Sequence, residues 1–93
     1  MAASRDDIVR SKVGLHARPA ALFVKTAGGF SAHVTLENVT RGTKPVNAKS
    51  ILSVLSAGVR KDDHIRITAD GTDEEAAAAA LADLVNNNFG ETE

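Results

Sequence analysis

The sequence contains no cysteine, no tryptophan and no tyrosine, and only two prolines, Pro19 and Pro45. Without cysteine there is no disulfide framework and no thiolate to act as nucleophile or metal ligand. Aromatic residues make up 3% of the chain, which leaves few side chains on which nucleic-acid bases could stack. No stretch approaches the ~20 apolar residues of a membrane span. The start, Met1 to Asp7, carries no apolar run and is partly acidic, so it does not read as a secretory signal. These absences suit a cytoplasmic protein that binds no nucleic acid and does not insert into membranes. What is present is 93 residues, 43% of them hydrophobic. That length predicts a single domain over 1–93 with one core and no covalent staples, residues 89–93 forming a flexible tail.

The net charge of −1 hides an asymmetry. From Arg10 to Lys61 nine basic residues are opposed only by Glu37, whereas Asp70 to Glu93 holds seven acids and no base. Ordinary solvated surface accounts for this. So does an electropositive half that docks on acidic partners and gains association rate.

The most informative stretch is Gly14-Leu15-His16-Ala17-Arg18-Pro19-Ala20-Ala21. Gly14 can adopt backbone angles closed to other residues. Pro19, with its fixed φ and no N–H to lose, fits the first turn of a helix, and Ala20 to Ala27 reads as helix. The residue before a proline is biased away from helical angles, so Arg18 is expected to lie at the helix boundary, or Ala17 and Arg18 to carry strain. A helix start offers unpaired N–H groups and the positive end of its dipole, which together bind an anion. Neutral histidine is a nucleophile that can take and pass on a phosphoryl group, and the guanidinium fork of Arg18 matches phosphate oxygens. The plainer reading makes His16 a helix cap or loop residue.

Along the chain, Ile8 and Val9 suggest a short first strand. A helix then runs to Thr26 or Ala27, with Ala20, Phe23, Val24 and Ala27 facing the core and Leu22 off that stripe. Gly28-Gly29 stops it. Ala32, Val34 and Leu36 alternate with polar residues as in a half-buried strand. Asn38 to Lys44 reads as a hairpin loop and Lys44 to Asn47 as a short strand, which Pro45 places at an edge. Ser50 is placed to cap a helix from Ile51 to about Ala57 that ends at Gly58. Lys61-Asp62-Asp63 is a turn, and Ile65, Ile67 and Ala69 alternate in a fourth strand. Thr72-Asp73-Glu74-Glu75 has the pattern of a capping box. Ala77 or Ala78, Leu81, Leu84 and Val85 then line the apolar side of an alanine-rich helix. The order βαββαβα predicts an α+β fold, an antiparallel sheet with helices on its buried face. His33 and His64 fall on strands and share no metal-ligand spacing with His16.

Three segments carry a resemblance. Gly14-Leu15-His16-Ala17-Arg18-Pro19-Ala20 resembles the active-site signature of the HPr family, the histidine-containing phosphocarriers of the bacterial phosphoenolpyruvate-dependent sugar phosphotransferase system. Val46-Asn47-Ala48-Lys49-Ser50-Ile51-Leu52 resembles that family's regulatory-serine segment, and Ile65-Arg66-Ile67-Thr68-Ala69-Asp70-Gly71 its last strand and turn. The matches fall in the family's order, although the Asn38–Lys44 loop is longer than the family pattern.

The resemblance implies an open-faced β-sandwich, a four-stranded antiparallel sheet of order 1-4-2-3 with three helices on one face. It places His16 and Ser50 on neighbouring surfaces. It implies that His16 Nδ1 accepts a phosphoryl group from enzyme I and passes it to a sugar-specific enzyme IIA, with no cofactor or metal. The N–H groups of Ala17 and Arg18 and the Arg18 side chain would hold the phosphoryl oxygens. Ser50 would be the target of an HPr kinase/phosphorylase, and its phosphate could recruit a transcriptional regulator; helix capping alone also explains this serine. Ile51, Leu52 and Leu55 are more apolar residues than one narrow helix face can bury. With Leu22, Lys25 and Lys49 they form a candidate docking patch, core packing being the alternative. A carrier with several partners is expected to be a monomer. Two rivals keep the fold: a nitrogen-branch carrier, which the ending Asn87-Asn88-Phe89-Gly90 resembles slightly, and a purely regulatory phosphoprotein.

Overall fold

The computed structural model describes residues 2–90. Its elements in chain order are β1 (Ala3–Ile8), α1 (Ala17–Gly28), β2 (His33–Asn38), β3 (Val46–Asn47), α2 (Ile51–Ser56), β4 (His64–Asp70) and α3 (Glu74–Asn86), followed by a 3₁₀ turn at Asn88–Gly90. The strands form one antiparallel sheet in the order β1-β4-β2-β3, an open-faced α+β sandwich. Central β4 sets Ile67 opposite both Arg5 of β1 and Leu36 of β2. Its alternation puts Ile65, Ile67 and Ala69 in the core with Val34 and Leu36 of β2. The helices cover that face through Ala20, Phe23 and Ala27 of α1, Val54 of α2, and Ala77, Ala78, Leu81 and Val85 of α3. Val24 and Leu84 are only half-buried at its margin.

The first strand lies earlier than Ile8-Val9 and is six residues long. Its sequence lacks apolar alternation because the strand is a sheet edge, where inward charged side chains discourage pairing with other chains. Arg5 and Asp7 are half-buried on the same side as Ala3, and Arg5 Nη2 reaches Glu75 Oε1 on α3 at 3.5 Å. On the open face Asp6 receives Arg66 through two bonds of 2.8 and 2.9 Å and His64 Nε2 at 2.9 Å.

Two further expectations are corrected. The capping box does not form at the start of α3. Asp73 is the N-cap, its carboxylate makes no capping bond, and it accepts Ser31 N at 2.8 Å and Ala32 N at 2.7 Å. A carboxylate that can bind two N–H groups of a neighbouring link gains more there than from one helix N–H. Nor is the chain free from residue 89 onward. Phe89 is 1% exposed, because Asn88 and Phe89 take positive φ and fold the aromatic ring back into the core. Residues 91–93 of the expected tail lie outside the described residues.

Candidate functional site

The segment before α1 is held by backbone geometry. Gly14 N donates to Ser11 O at 2.9 Å, closing a turn. Leu15 is 2% exposed and its N–H donates to Val59 O at 3.1 Å. Gly14 lies against the Val59–Arg60 backbone at φ +62, where a Cβ would collide with the Val59 carbonyl oxygen. Only glycine combines that angle with that approach.

His16 follows at once. It is the N-cap of α1, extended at φ −140 and ψ 163, and exposed. Its side chain makes no capping bond, so occupying the cap position does not use up the imidazole. Ala17 takes φ +52, so the boundary strain expected before Pro19 falls on Ala17. Pro19 is buried in the first turn. Pro19 and its neighbours bring no acid into that turn to compete for the N–H groups of Ala17 and Arg18. Arg18 donates from Nη1 to the Phe89 carbonyl at 3.1 Å. The Arg18 guanidinium is therefore tethered to the 3₁₀ turn. Nothing in the spacing of the sequence signals this contact across 71 positions.

Ser50 is the N-cap of α2, and its Oγ accepts Ser53 N at 3.3 Å. The helix packs against α1. Leu52 is 76% exposed and Ile51 41%, while Leu55 and Leu22 are half-buried at the core margin. Lys25 is exposed in the last turn of α1. Lys49 is partly drawn in: its Nζ donates to Phe30 O at 2.7 Å, at the exit of α1. His33 is exposed, and His64 sits on Asp6 far along the chain from His16. Among the described residues no group of three or more His, Asp or Glu side chains is placed to hold a metal ion.

A buried network went unread in the sequence. Asp63 is 4% exposed, and its Oδ2 accepts Asn38 Nδ2 at 3.1 Å, Arg41 Nε at 3.0 Å and Arg60 N at 2.9 Å. Burial pushes this carboxyl up. The Arg60 N–H, the Asn38 amide and the Arg41 guanidinium together outweigh burial and hold it below its ordinary value of 3.8. The sequence marks Lys61-Asp62-Asp63 only as a turn.

The family model described as the PTS HPr component phosphorylation site matches residues 3–87. The chain belongs to the HPr family. Among solved HPr structures it is similar to HPr-C-His from Thermoanaerobacter tengcongensis, with a TM-score of 0.92 and 44% identity over 98% of this chain and 99% of that one. It is also similar to the phosphocarrier protein HPr from Bacillus anthracis, with a TM-score of 0.82 and 43% identity over 90% and 96% of the two chains. The multiphosphoryl transfer protein of Salmonella typhimurium is 38% identical over 88 residues, which are 95% of this chain and 23% of that protein. The chain thus spans about a quarter of the length of such curated relatives. HPr is a phosphocarrier component of the phosphotransferase system. No described helix is long and apolar enough to cross a membrane.

Proposed function

We propose that this chain is a single-domain, cytoplasmic phosphocarrier in which His16 is the phosphoryl acceptor. The observation that carries the reading is an exposed N-cap imidazole that makes no capping bond, at an acid-free helix start beside Arg18. His16 Nδ1 attacks the phosphorus of a phosphohistidine on enzyme I, and the donor's P–N bond breaks as the new one forms. The same exchange then moves the group to a histidine of an enzyme IIA. The N–H groups of Ala17 and Arg18 and the Arg18 fork stabilise the equatorial oxygens, so the protein supplies position and charge. Ile51 and Leu52 form the apolar part of the docking face, with Leu22 and Leu55 at its edge and Lys25 and Lys49 beside it. Ser50 is a regulatory phosphorylation site. Phosphate there lies at the start of α2 and adds about −1.5 to −2 charge beside that face.

The test is incubation with phosphoenolpyruvate and enzyme I, followed by intact mass and acid-lability analysis. One acid-labile phosphoryl group, absent from a folded His16→Ala variant, is the expected result. Equal labelling of the variant overturns the assignment.

A further inference from the structure

We infer that Asp63 is a positioning residue for His16, acting through the turn from Val59 to Asp63; this rests on the reading of His16 as the phosphoryl acceptor. The segment before His16 hangs on that turn at both ends. At its start, Val9 N donates to Asp63 O at 3.0 Å and Asp62 N to Val9 O at 2.6 Å. At its end, Leu15 N donates to Val59 O at 3.1 Å, with Gly14 seated on the Val59–Arg60 backbone. His16 is the next residue, so where the turn sits decides where the imidazole sits.

The Asp63 carboxylate holds the turn itself. It closes the turn internally by accepting Arg60 N, the N–H next to the Val59 carbonyl. The same oxygen accepts Asn38 at the end of β2 and Arg41 in the β2–β3 loop. Asn38, fully buried, also donates to Ala57 O at 3.1 Å, just beyond α2. One buried charge thus joins the turn to β2, the following loop and the end of α2. A buried ion pair is a poor source of net stability, since desolvation offsets its Coulomb attraction. Its contribution here is directional: three donors converging on one oxygen leave the turn a single arrangement. Displacing a reacting group by about 1 Å slows transfer by roughly 10²-fold.

The experiment uses Asp63→Asn, nearly isosteric, and Arg41→Ala, which removes only the outer donor. Amide exchange of Leu15 is compared with that of Ile67 in central β4. Transfer from phosphorylated enzyme I to His16 is followed by rapid quench. The expected result is Leu15 exchange accelerated by roughly tenfold with Ile67 protection kept, and a transfer rate constant reduced about tenfold with KM within about twofold. Arg41→Ala gives the same pattern at smaller amplitude. Unchanged Leu15 exchange in both folded variants overturns the inference. So does loss of Leu15 and Ile67 protection in equal proportion, which marks a merely structural role. The exchange measurement needs no phosphoryl donor. An unlabelled wild type would sink the phosphocarrier reading while still leaving the coupling of Asp63 to the His16 segment decided.

Discussion

The guanidinium of Arg18 donates to the main-chain carbonyl of Phe89, so the cation two residues after His16 is tied to a turn 71 positions away. A phosphoryl group on His16 would offer this fork charged oxygens, which are stronger acceptors than a neutral carbonyl. Arg18→Gln removes the fork while leaving an exposed position. Its stability is expected to fall by no more than about 1 kcal/mol. Phosphoryl transfer from enzyme I is expected to slow by roughly 10²-fold. Urea unfolding and rapid-quench kinetics on the same sample separate the two effects.

Gly14 has no tolerated substitute. An alanine there meets the Val59 carbonyl at a φ of +62. Gly14→Ala is expected to cost about 1–3 kcal/mol in urea unfolding. It should also expose the Leu15 amide to exchange, because the methyl pushes the segment off Val59. Wild-type exchange at Leu15 would show that the collision is relieved elsewhere.

Leu52 is 76% exposed and Val54, on the same helix, is fully buried. Leu52→Ser is expected to leave stability within about 0.5 kcal/mol of wild type. If Leu52 contacts enzyme I, calorimetric affinity falls by about tenfold. Val54→Ala should do the reverse, lowering stability directly. A Leu52→Ser protein that binds enzyme I with full affinity removes this leucine from the docking face.

Acid should loosen the fold in a defined direction. Asp63, Asp6 and Asp73 are all held below their ordinary value of 3.8, by the donors around Asp63, by Arg66 and by the Ser31 N–H respectively. A depressed folded-state value stabilises the native protein above the unfolded-state value and is lost as pH falls through the folded one. Urea midpoints are therefore expected to be flat near neutrality and to drop as pH falls below the ordinary value of 3.8. Asp63→Asn makes that acid decline shallower, because the amide that replaces the carboxylate does not titrate. An unchanged decline would mean that Asp63 titrates alike in both states.

Much of this protein was open to reading from local chemistry. Val34, Leu36, Ile65, Ile67 and Ala69 alternate because one sheet face is wet and the other dry. Ser50 caps α2 because a hydroxyl there meets the N–H of Ser53. Gly14, His16, Arg18 and Pro19 lie within six positions of one another, so their pattern is visible without a fold. What tertiary structure alone decided joins residues distant in sequence. β1 is a strand because β4 offers it an edge, not because its own residues alternate. Phe89 is core because positive φ at Asn88 and Phe89 turns its ring inward. Asp73 leaves its helix for Ser31 and Ala32, and Asp63 gathers Asn38, Arg41 and Arg60. Local propensity carries no information about which distant donor a carboxylate will meet. For Asp63 that partner matters because burial removes water and makes an unpaired charge costly.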